Sequence, residues 1–474
     1  MRYALILAGP ILGLIIYLLV PEQAIRSDGS ILELGQAGKV TAGMTAWIAL
    51  WWMTEVVPLY ITALIPLIGL SFTGTMGLDR ISVSYGHRIV FLALGGFMLA
   101  AAIEKWHLHK RFSLFVLKFC GTRPRNIIGG FMLASAMLSM WISNTATAII
   151  MLPVALSIIK LISTNNPHRN DFSTCLLLAI AYSCSIGGMG TLVGTGTNMF
   201  YAGYTEEILN QTVSFIQWMG IALPVVVVLL PVSWYLMTHL IFKIPNSSDQ
   251  LPIDTSAVHA KEDWELGQVL TFIIFMLAAI LWSTLPLLRE WPPLEYISDT
   301  GIAISAAFLL FVIPANLKKQ EFLLDWETAV KKVPWGILLL IGGGLCMARA
   351  VSANGIGEYI SLLLEDSLLL PEIILILAVL TLMVFLTEIS SNIASVTALS
   401  PVFAALALSR NMDPSFLIIP IPLAASCAFM LPAATMPNSI VMGSGMVRGW
   451  QMARAGLLLN IAGIVIIALR VSFL

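Results

Sequence analysis

Apolar stretches long enough to cross a lipid bilayer recur along the whole chain. A transmembrane helix needs about 20 mostly apolar residues to span the hydrocarbon core. Such stretches occur at 3–20, 41–57, 59–73, 89–104, 213–242, 266–287, 297–315, 335–351 and 452–471. The pattern predicts an all-α polytopic membrane protein.

Four other apolar regions are too long for a single span and are interrupted by glycine, proline, serine, threonine and asparagine. They are 126–159, 172–205, 371–409 and 414–447. Because lipid offers no hydrogen bonds to free backbone groups, interrupted segments occur only inside protein or beside a cavity. We therefore expect these regions to form re-entrant hairpins and discontinuous helices.

The composition supports a membrane location. Hydrophobic residues make up 58% of the 474 residues and charged residues 11%, whereas a soluble globular protein carries about 25% charged residues. The net charge of −1 indicates no nucleic-acid partner. The five cysteines show no paired spacing, which predicts neither a disulfide framework nor a metal site. The first apolar run is expected to remain as a span, since no small-residue cleavage pattern follows it.

Basic residues are concentrated between 105 and 125, and they predict the orientation of the chain. They are Lys105, Lys110, Arg111, Lys118, Arg123 and Arg125. By the positive-inside rule, this segment lies on the cytoplasmic side of the cell membrane. The stretch 105–120 fits an amphipathic helix at the interface and an ordinary basic loop equally well. A polar linker at 244–265 divides the chain into two halves of similar size.

The two halves carry matching landmarks in the same order. In each half a Gly-Gly pair follows an apolar run, a Ser-Asn pair comes later, and an asparagine lies in the second interrupted region. The landmarks are Gly95-Gly96, Ser143-Asn144 and Asn198, then Gly342-Gly343, Ser391-Asn392 and Asn438. Internal repeats are typical of secondary transporters, whose substrate sites lie at the repeat interface near the membrane midplane. An odd number of crossings in each half would make the repeats inverted.

The interrupted regions offer neutral oxygen and amide groups. Residues 126–159, 172–205, 373–409 and 414–447 contain a single charged residue, Glu388. Hydroxyls and carbonyls suit sodium, and the N-termini of half-helices suit a carboxylate. Alternatively, these groups only form hydrogen bonds between helices or cap helix starts. Their paired occurrence in the two halves favours the binding role. The candidates are Ser139, Ser143, Asn144, Thr145, Thr147, Thr195, Thr197, Asn198, Ser390, Ser391, Asn392, Thr435 and Asn438.

Five segments resemble the divalent anion/sodium symporters, a family of dicarboxylate, citrate and sulfate carriers. They are WWMTEVVPLYITALIPL at 51–67, SNT at 143–145, IGGMGTLVGTGTN at 186–198, TEISSN at 387–392 and MLPAATMPNSIV at 430–441. The resemblance covers nearly the whole chain. It implies an inverted-repeat fold of about 11 transmembrane helices, with two opposed re-entrant hairpins and two discontinuous helices.

The resemblance also implies how the chain is divided. Family members are homodimers in which a transport part moves against a fixed scaffold, in an elevator-like mechanism. The scaffold would comprise 1–125 and 266–370, and the transport part would comprise 126–243 and 371–474. The linker 244–265 would join the two halves.

Two sodium (Na+) sites around one substrate are implied in the same way. The first would use Ser139, Ser143, Asn144 and the backbone of Gly194, and the second Thr387, Ser391, Asn392 and the backbone of Ala434. The substrate would meet Asn144, Thr145, Thr197, Asn198, Asn392, Thr435 and Asn438. Three residues depart from the family pattern, since Ile393 replaces a threonine and Thr197 and Met436 replace prolines. These departures leave the choice of anion open.

We therefore expect a sodium-coupled symporter for a C4-dicarboxylate or citrate, and not an enzyme. A sodium-independent carboxylate exchanger and a sodium/sulfate symporter are the alternatives. The interrupted regions contain no Ser/His/Asp set, HExxH motif or paired aspartates, and two closed hairpin sites argue against a channel. Glu388 is interpreted as a hydrogen-bond acceptor that orients its hairpin, with a proton-linked role as the alternative.

Overall fold

The chain folds as a set of packed helices with two small antiparallel β-hairpins. The computed structural model describes residues 2–25, 29–109, 111–112, 121, 123–162, 166–246, 264–364 and 371–473. The all-α fold class is confirmed. Lys110, Lys118 and most of the polar linker 244–265 lie outside the described residues, as does much of the stretch 105–120.

The first half begins with two long helices separated by a β-hairpin. The helices are α1 (Arg2–Leu19), α2 (Gly35–Thr54), α3 (Leu59–Thr62), α4 (Ile65–Phe72), α5 (Leu78–Tyr85), α6 (Arg88–Lys105), α7 (Pro124–Ser139), α8 (Asn144–Leu161), α9 (Arg169–Gly188), α10 (Gly196–Leu209) and α11 (Phe215–Tyr235). A π-helical segment (Leu236–Ile241) continues α11. Strands β1 (Gln23–Ile25) and β2 (Ile31–Glu33) pair between α1 and α2.

The second half has the same alternation of long helices and short broken ones. The helices are α12 (Leu266–Leu288), α13 (Asp299–Val312), α14 (Trp326–Lys332), α15 (Trp335–Ala353), α16 (Ile356–Leu364), α17 (Glu372–Thr387), α18 (Asn392–Ser409), α19 (Ser415–Ile418), α20 (Pro420–Ala425), α21 (Met436–Met442) and α22 (Gly449–Val471). A 3₁₀ turn (Pro292–Leu294) follows α12. Strands β3 (Pro314–Asn316) and β4 (Glu321–Phe322) pair between α13 and α14.

Each stretch predicted to span the membrane coincides with a helix, except that 59–73 divides into α3 and α4. In the described part of the chain, eight helical segments are long and apolar enough to cross a membrane. They are Arg2–Leu19, Leu78–Lys105, Arg169–Gly188, Phe215–Ile241, Leu266–Leu288, Trp335–Ala353, Asn392–Ser409 and Gly449–Val471. The sequence pattern did not predict the two β-hairpins, whose strands are only two or three residues long.

All four interrupted regions contain a break in helix. In the first and third regions, two helices meet at a short turn: α7 with α8, and α17 with α18. In the second and fourth, a non-helical segment separates α9 from α10 and α20 from α21. A Ser-Asn pair therefore ends the first and third breaks, whereas glycine lies in the second and proline in the fourth. How deeply the two helix pairs enter the membrane stays a prediction.

The repeated Gly-Gly pairs lie where helices approach closely. A Cβ on Gly95 of α6 would lie 2.6 Å from the carbonyl carbon of Ala303 in α13. A Cβ on Gly343 of α15 would lie 2.4 Å from the carbonyl oxygen of Ala63, just after α3. Small residues let membrane helices pack backbone against backbone. The repeated glycines are therefore packing positions of α6 and α15.

Candidate functional site

The first Ser-Asn pair forms the turn between α7 and α8. Ser143 caps α8, because its hydroxyl accepts a hydrogen bond from the Ala146 N–H at 3.2 Å. Ser139, fully buried at the end of α7, donates to Asn144 Oδ1 at 2.5 Å. A Cβ on Gly188, at the end of α9, would lie 2.5 Å from that same Oδ1. The first turn therefore packs directly against the end of α9.

Asn198 holds the non-helical segment between α9 and α10. Its side-chain N–H groups point to the carbonyl oxygens of Gly188, Met189 and Thr191, at 3.0, 3.3 and 2.8 Å. Thr195 caps α10 by accepting from the Asn198 N–H at 3.5 Å. Asn198 is fully buried. This asparagine therefore fixes the path of the segment that contains Gly194.

Asn438 makes matching bonds in the non-helical segment between α20 and α21. Its side chain donates to the carbonyl oxygens of Ala428 and Leu431, at 3.1 and 3.0 Å. Thr435 caps α21 and accepts from the Asn438 N–H at 3.4 Å. The backbone angles at Thr435 (φ −141°, ψ 151°) and Thr195 (φ −142°, ψ 152°) agree closely. The matching asparagines in the sequence therefore produce the same local structure.

Each non-helical segment is also tied to the helix turn of its own half. In the first half, the Thr191 hydroxyl donates to the Met140 carbonyl and accepts from the Gly194 N–H. In the second half, the Glu388 carboxylate accepts from the Met430 and Leu431 N–H groups, both at 2.9 Å. The sequence interpretation of Glu388 as a hydrogen-bond acceptor therefore agrees with its geometry.

The second Ser-Asn pair lies at the start of α18 and offers unused oxygen atoms. Asn392 Oδ1 is buried and accepts no hydrogen bond within the described part of the chain, and the same is true of Asn438 Oδ1. Thr387 is fully buried, and its hydroxyl donates to the Met383 carbonyl at 2.8 Å. Ser391 makes no capping bond through its side chain. Neutral oxygens that accept no hydrogen bond suit a bound sodium ion.

The two halves meet beside these segments. A Cβ on Gly196, the first residue of α10, would lie 2.6 Å from Ile393 Cδ1. Ile393 is the residue that replaces the threonine of the second motif. The apolar side chain at this position therefore packs against the start of α10, next to the first non-helical segment.

Burial divides the predicted site residues into two groups. Asn144, Thr145, Thr195, Ser391, Asn392 and Thr435 are partly exposed, and Ser143 is exposed. Ser139, Thr197, Asn198, Thr387, Ala434 and Asn438 are buried, as is the Gly194 backbone. In the buried group, Asn198 and Asn438 use their amide hydrogens within the protein.

Sequence reasoning missed two residues that shape the site. Thr191 joins the first turn to its non-helical segment. The sequence feature that could have identified it is its position inside the glycine-rich stretch 186–198. Asn460 of α22 donates a hydrogen bond of 2.7 Å to Glu388. The sequence feature that could have identified it is a lone asparagine within a predicted span. In the part of the chain that the structure describes, no group of three His, Cys, Asp or Glu side chains is arranged to hold a metal.

A family comparison decides which class of protein this is. The sodium:sulfate symporter transmembrane region matches residues 15–473, nearly the whole chain. The chain belongs to this symporter family. It is accordingly a multi-pass membrane transporter and not an enzyme, and the resemblance seen in the sequence motifs is confirmed.

Individual members of the family are similar over most of their length. A sodium-dependent dicarboxylate transporter, SdcS, of Staphylococcus saprophyticus is 38% identical over 457 residues, covering 93% of this chain and 87% of that protein. SdcS of Staphylococcus aureus (strain MRSA252) is 36% identical, covering 99% of this chain and 90% of that protein. The solved structure of the YdaH transporter of Alcanivorax borkumensis has the same fold, with a TM-score of 0.63 at 13% identity. That match covers 100% of this chain and 97% of the YdaH chain.

Proposed function

We propose that this protein couples sodium influx to the uptake of a small divalent anion, a C4-dicarboxylate or citrate. Two observations support the proposal. The relatives named sodium-dependent dicarboxylate transporters are 36–38% identical over most of the chain. The segments around the two helix turns offer buried neutral oxygens and carry no lysine or arginine. The unpaired Oδ1 of Asn392 is the observation that carries the sodium assignment.

The two sodium ions lie at the two helix turns. The first ion takes oxygens from Ser139, Ser143, Asn144 and the Gly194 backbone, and the second from Thr387, Ser391, Asn392 and the Ala434 backbone. Support comes from the short bond between Ser139 and Asn144 Oδ1, which brings two of these oxygens within 2.5 Å. Asn198 holds the segment that contains Gly194, and Asn438 holds the segment that contains Ala434. Both backbone ligands are therefore held in position before an ion binds.

The substrate lies between the two ions. Its carboxylates meet Asn144, Thr145, Asn392 and Thr435, which are partly exposed. Thr197, Asn198 and Asn438 form the wall behind them, with Thr197 bonded to Thr195 at 2.7 Å. Helices α8, α10 and α18 begin at this place, and their N-termini favour a negatively charged group. Ile393 adds an apolar contact where a hydroxyl is absent.

Transport follows an elevator-type alternating-access mechanism in a homodimer. The transport part, 126–243 and 371–474, carries both helix turns and both non-helical segments. The scaffold, 1–125 and 266–370, includes α6 and α15, and the basic segment 105–125 faces the cytoplasm. The two halves form an inverted repeat, which the matching caps at Thr195 and Thr435 support.

Flux measurements in liposomes test this function. Purified protein is reconstituted, and uptake of labelled succinate and citrate is followed with an inward sodium gradient, with equal potassium, and with unlabelled succinate inside. Uptake that requires the sodium gradient supports symport. Uptake that depends only on internal succinate, whatever the cation, would replace symport by carboxylate exchange.

Sulfate is the second candidate substrate, because the matching family is described as a sodium:sulfate symporter. A tetrahedral dianion would use the same helix N-termini. Labelled sulfate is measured beside succinate in the same vesicles, with each anion as competitor of the other. Sodium-driven sulfate uptake that succinate does not inhibit would favour the sulfate assignment.

A further inference from the structure

A polar cavity containing two arginines lies apart from the site described above. It has a volume of about 370 Å³ and lies between the end of α8, the start of α9 and the start of α22. Its polar lining comprises Arg169, Asn170, Ser173, Thr174, Arg448 and Gln451. Hence the cavity carries two positive charges, and none of its described lining residues is acidic.

Neither arginine is neutralised by the surrounding protein. Among the described residues, Arg169 and Arg448 take part in no ion pair. Arg169 Nε is buried and donates no hydrogen bond to any residue that the structure describes. Asp171, the nearest acid in the sequence, is exposed and does not line the cavity. A buried guanidinium N–H without an acceptor is costly unless another molecule supplies one.

The rest of the lining favours the same kind of ligand. Helices α9 and α22 both start at the cavity, and neither receives a capping hydrogen bond from the side chain at its N-cap position. Their free N–H groups add positive potential. The Thr174 hydroxyl donates to the Met446 carbonyl at 3.1 Å, and the Ser173 hydroxyl donates to the Arg169 carbonyl at 2.7 Å. The first of these bonds joins α9 to the segment before α22, and the second lies within α9 beside Arg169.

We propose that the cavity bounded by Arg169 and Arg448 binds a phosphate group. Guanidinium forks match phosphate oxygens in geometry and remain charged at every physiological pH. The phosphate comes either from the headgroup of an anionic phospholipid or from free inorganic phosphate, which present the same oxygens. This site is separate from the proposed anion-transport site, because none of the residues assigned to sodium or to the transported anion lines the cavity.

Calorimetric titration of the purified full-length protein tests the site and separates the two sources. The probes are inorganic phosphate, water-soluble dihexanoyl phosphatidylglycerol, and dihexanoyl phosphatidylcholine as the zwitterionic control. Titrations are made in potassium buffer without sodium, because the transport site is expected to bind anions only weakly when sodium is absent. The variants are Arg169→Gln, Arg448→Gln and the double change. Arg454→Gln is the matched control, because it removes an exposed charge from α22 outside the cavity.

Wild-type protein and Arg454→Gln should bind the anionic probe equally, and each cavity variant should bind it at least about tenfold more weakly. Arg448 is exposed, so its change leaves the fold intact and keeps the test valid if Arg169→Gln misfolds. Binding of phosphatidylglycerol alone assigns the site to lipid, and binding of inorganic phosphate alone assigns it to the free ion. Binding of neither probe, or equal binding by wild type and Arg448→Gln, overturns the proposal.

Discussion

Asn460 Nδ2, in the middle of α22, donates a hydrogen bond of 2.7 Å to Glu388 Oε1 in the turn between α17 and α18. The same carboxylate accepts from the Met430 and Leu431 N–H groups in the second non-helical segment. Glu388 is 3% exposed and Asn460 fully buried. One buried acid therefore joins the helix turn, the non-helical segment and the last helix, all of which surround the proposed second sodium site.

Loss of this carboxylate should disorganise the second half of the site. In Glu388→Gln one acceptor oxygen becomes a donor that faces backbone N–H groups, and we expect a destabilisation of about 2–3 kcal/mol. Asn460→Ala should cost about 1.5–3 kcal/mol, because a hydrogen bond to a charged group is lost. Thermal unfolding in detergent measures both. Glu372→Gln, an exposed acid at the start of α17, is the matched control.

The same variant separates a positioning role from a proton-linked one. If Glu388 only positions the segment, Glu388→Gln lowers the uptake rate and leaves the shape of its pH profile unchanged. A variant that transports at the wild-type rate but has lost the pH dependence would show that Glu388 carries a proton instead.

The sequence predicts the breaks in the helices better than it predicts what joins them. Apolar runs and their interruptions place α7 to α10 and α17 to α21, because glycine, proline and asparagine act locally on the backbone. The hydrogen-bond partners of Asn198 and Glu388 could not be predicted in this way. Asn198 bonds carbonyls seven to ten residues earlier, and Glu388 bonds a helix 72 residues later. Such pairs depend on the tertiary fold, which no local pattern encodes.

The same distinction applies to the site residues. The Ser-Asn pairs are visible in the sequence because they repeat, and the structure places each at the start of a helix. The packing of Ile393 against Gly196 joins the two halves and has no sequence signal. The assignment of these residues to two sodium sites and one substrate site came from the family resemblance. Composition and spacing alone did not provide it.

Asn144→Ala and Asn392→Ala should each abolish sodium-driven uptake while the protein remains folded. Each change removes a carbonyl oxygen at a helix turn. The first turn has no charged side chain, and Glu388 in the second already accepts hydrogen bonds from Asn460 and from the Met430 and Leu431 N–H groups. Uptake of labelled succinate in vesicles measures the effect, and size-exclusion chromatography confirms folding. Thr381→Ala is the control, because its exposed hydroxyl on α17 bonds only the Leu377 carbonyl. Wild-type transport by both asparagine variants would leave the Ser-Asn pairs as helix contacts only.

Gly344 allows α15 to pack against two helices of the proposed transport part. A Cβ at this position would lie 2.3 Å from Thr397 Cγ2 and 2.7 Å from Phe200 Cε2. Gly344→Ala should therefore destabilise this arrangement by about 1–3 kcal/mol and slow transport. Thermal unfolding and uptake rates measure the two effects.

A second change, on α18, tests whether contact with Thr397 causes the loss of stability. Thr397→Ser removes the clashing methyl group and preserves the hydroxyl that donates to the Ile393 carbonyl at 2.7 Å. It should restore part of the stability lost in Gly344→Ala, since the Phe200 ring still lies close to the added Cβ. Gly357→Ala, with open space around it, is the control and should behave as wild type. A double variant no better than Gly344→Ala would show that the methyl group of Thr397 is not the obstacle.

Sodium and substrate should raise each other's affinity, because the site has few other ways to balance a dianion. A double negative charge in a region of low effective dielectric needs positive charge nearby. The segments 126–159, 172–205, 373–409 and 414–447 contain no lysine or arginine. Helix N-termini supply about half a charge each, which fades beyond the first turn. In the proposed arrangement, bound sodium ions supply full positive charges beside the anion.

By linkage, the factor by which sodium tightens substrate binding equals the factor by which substrate tightens sodium binding. Equilibrium titration of succinate in rising sodium chloride should show at least about a tenfold gain in affinity, within the usual range of such coupling. Potassium or choline chloride at equal ionic strength should give no gain, because the two proposed cation sites are assigned to sodium. In Asn392→Ala the gain should shrink, because one ion loses a ligand. Succinate affinity that is unchanged when sodium is removed would contradict this coupling and support sodium-independent exchange.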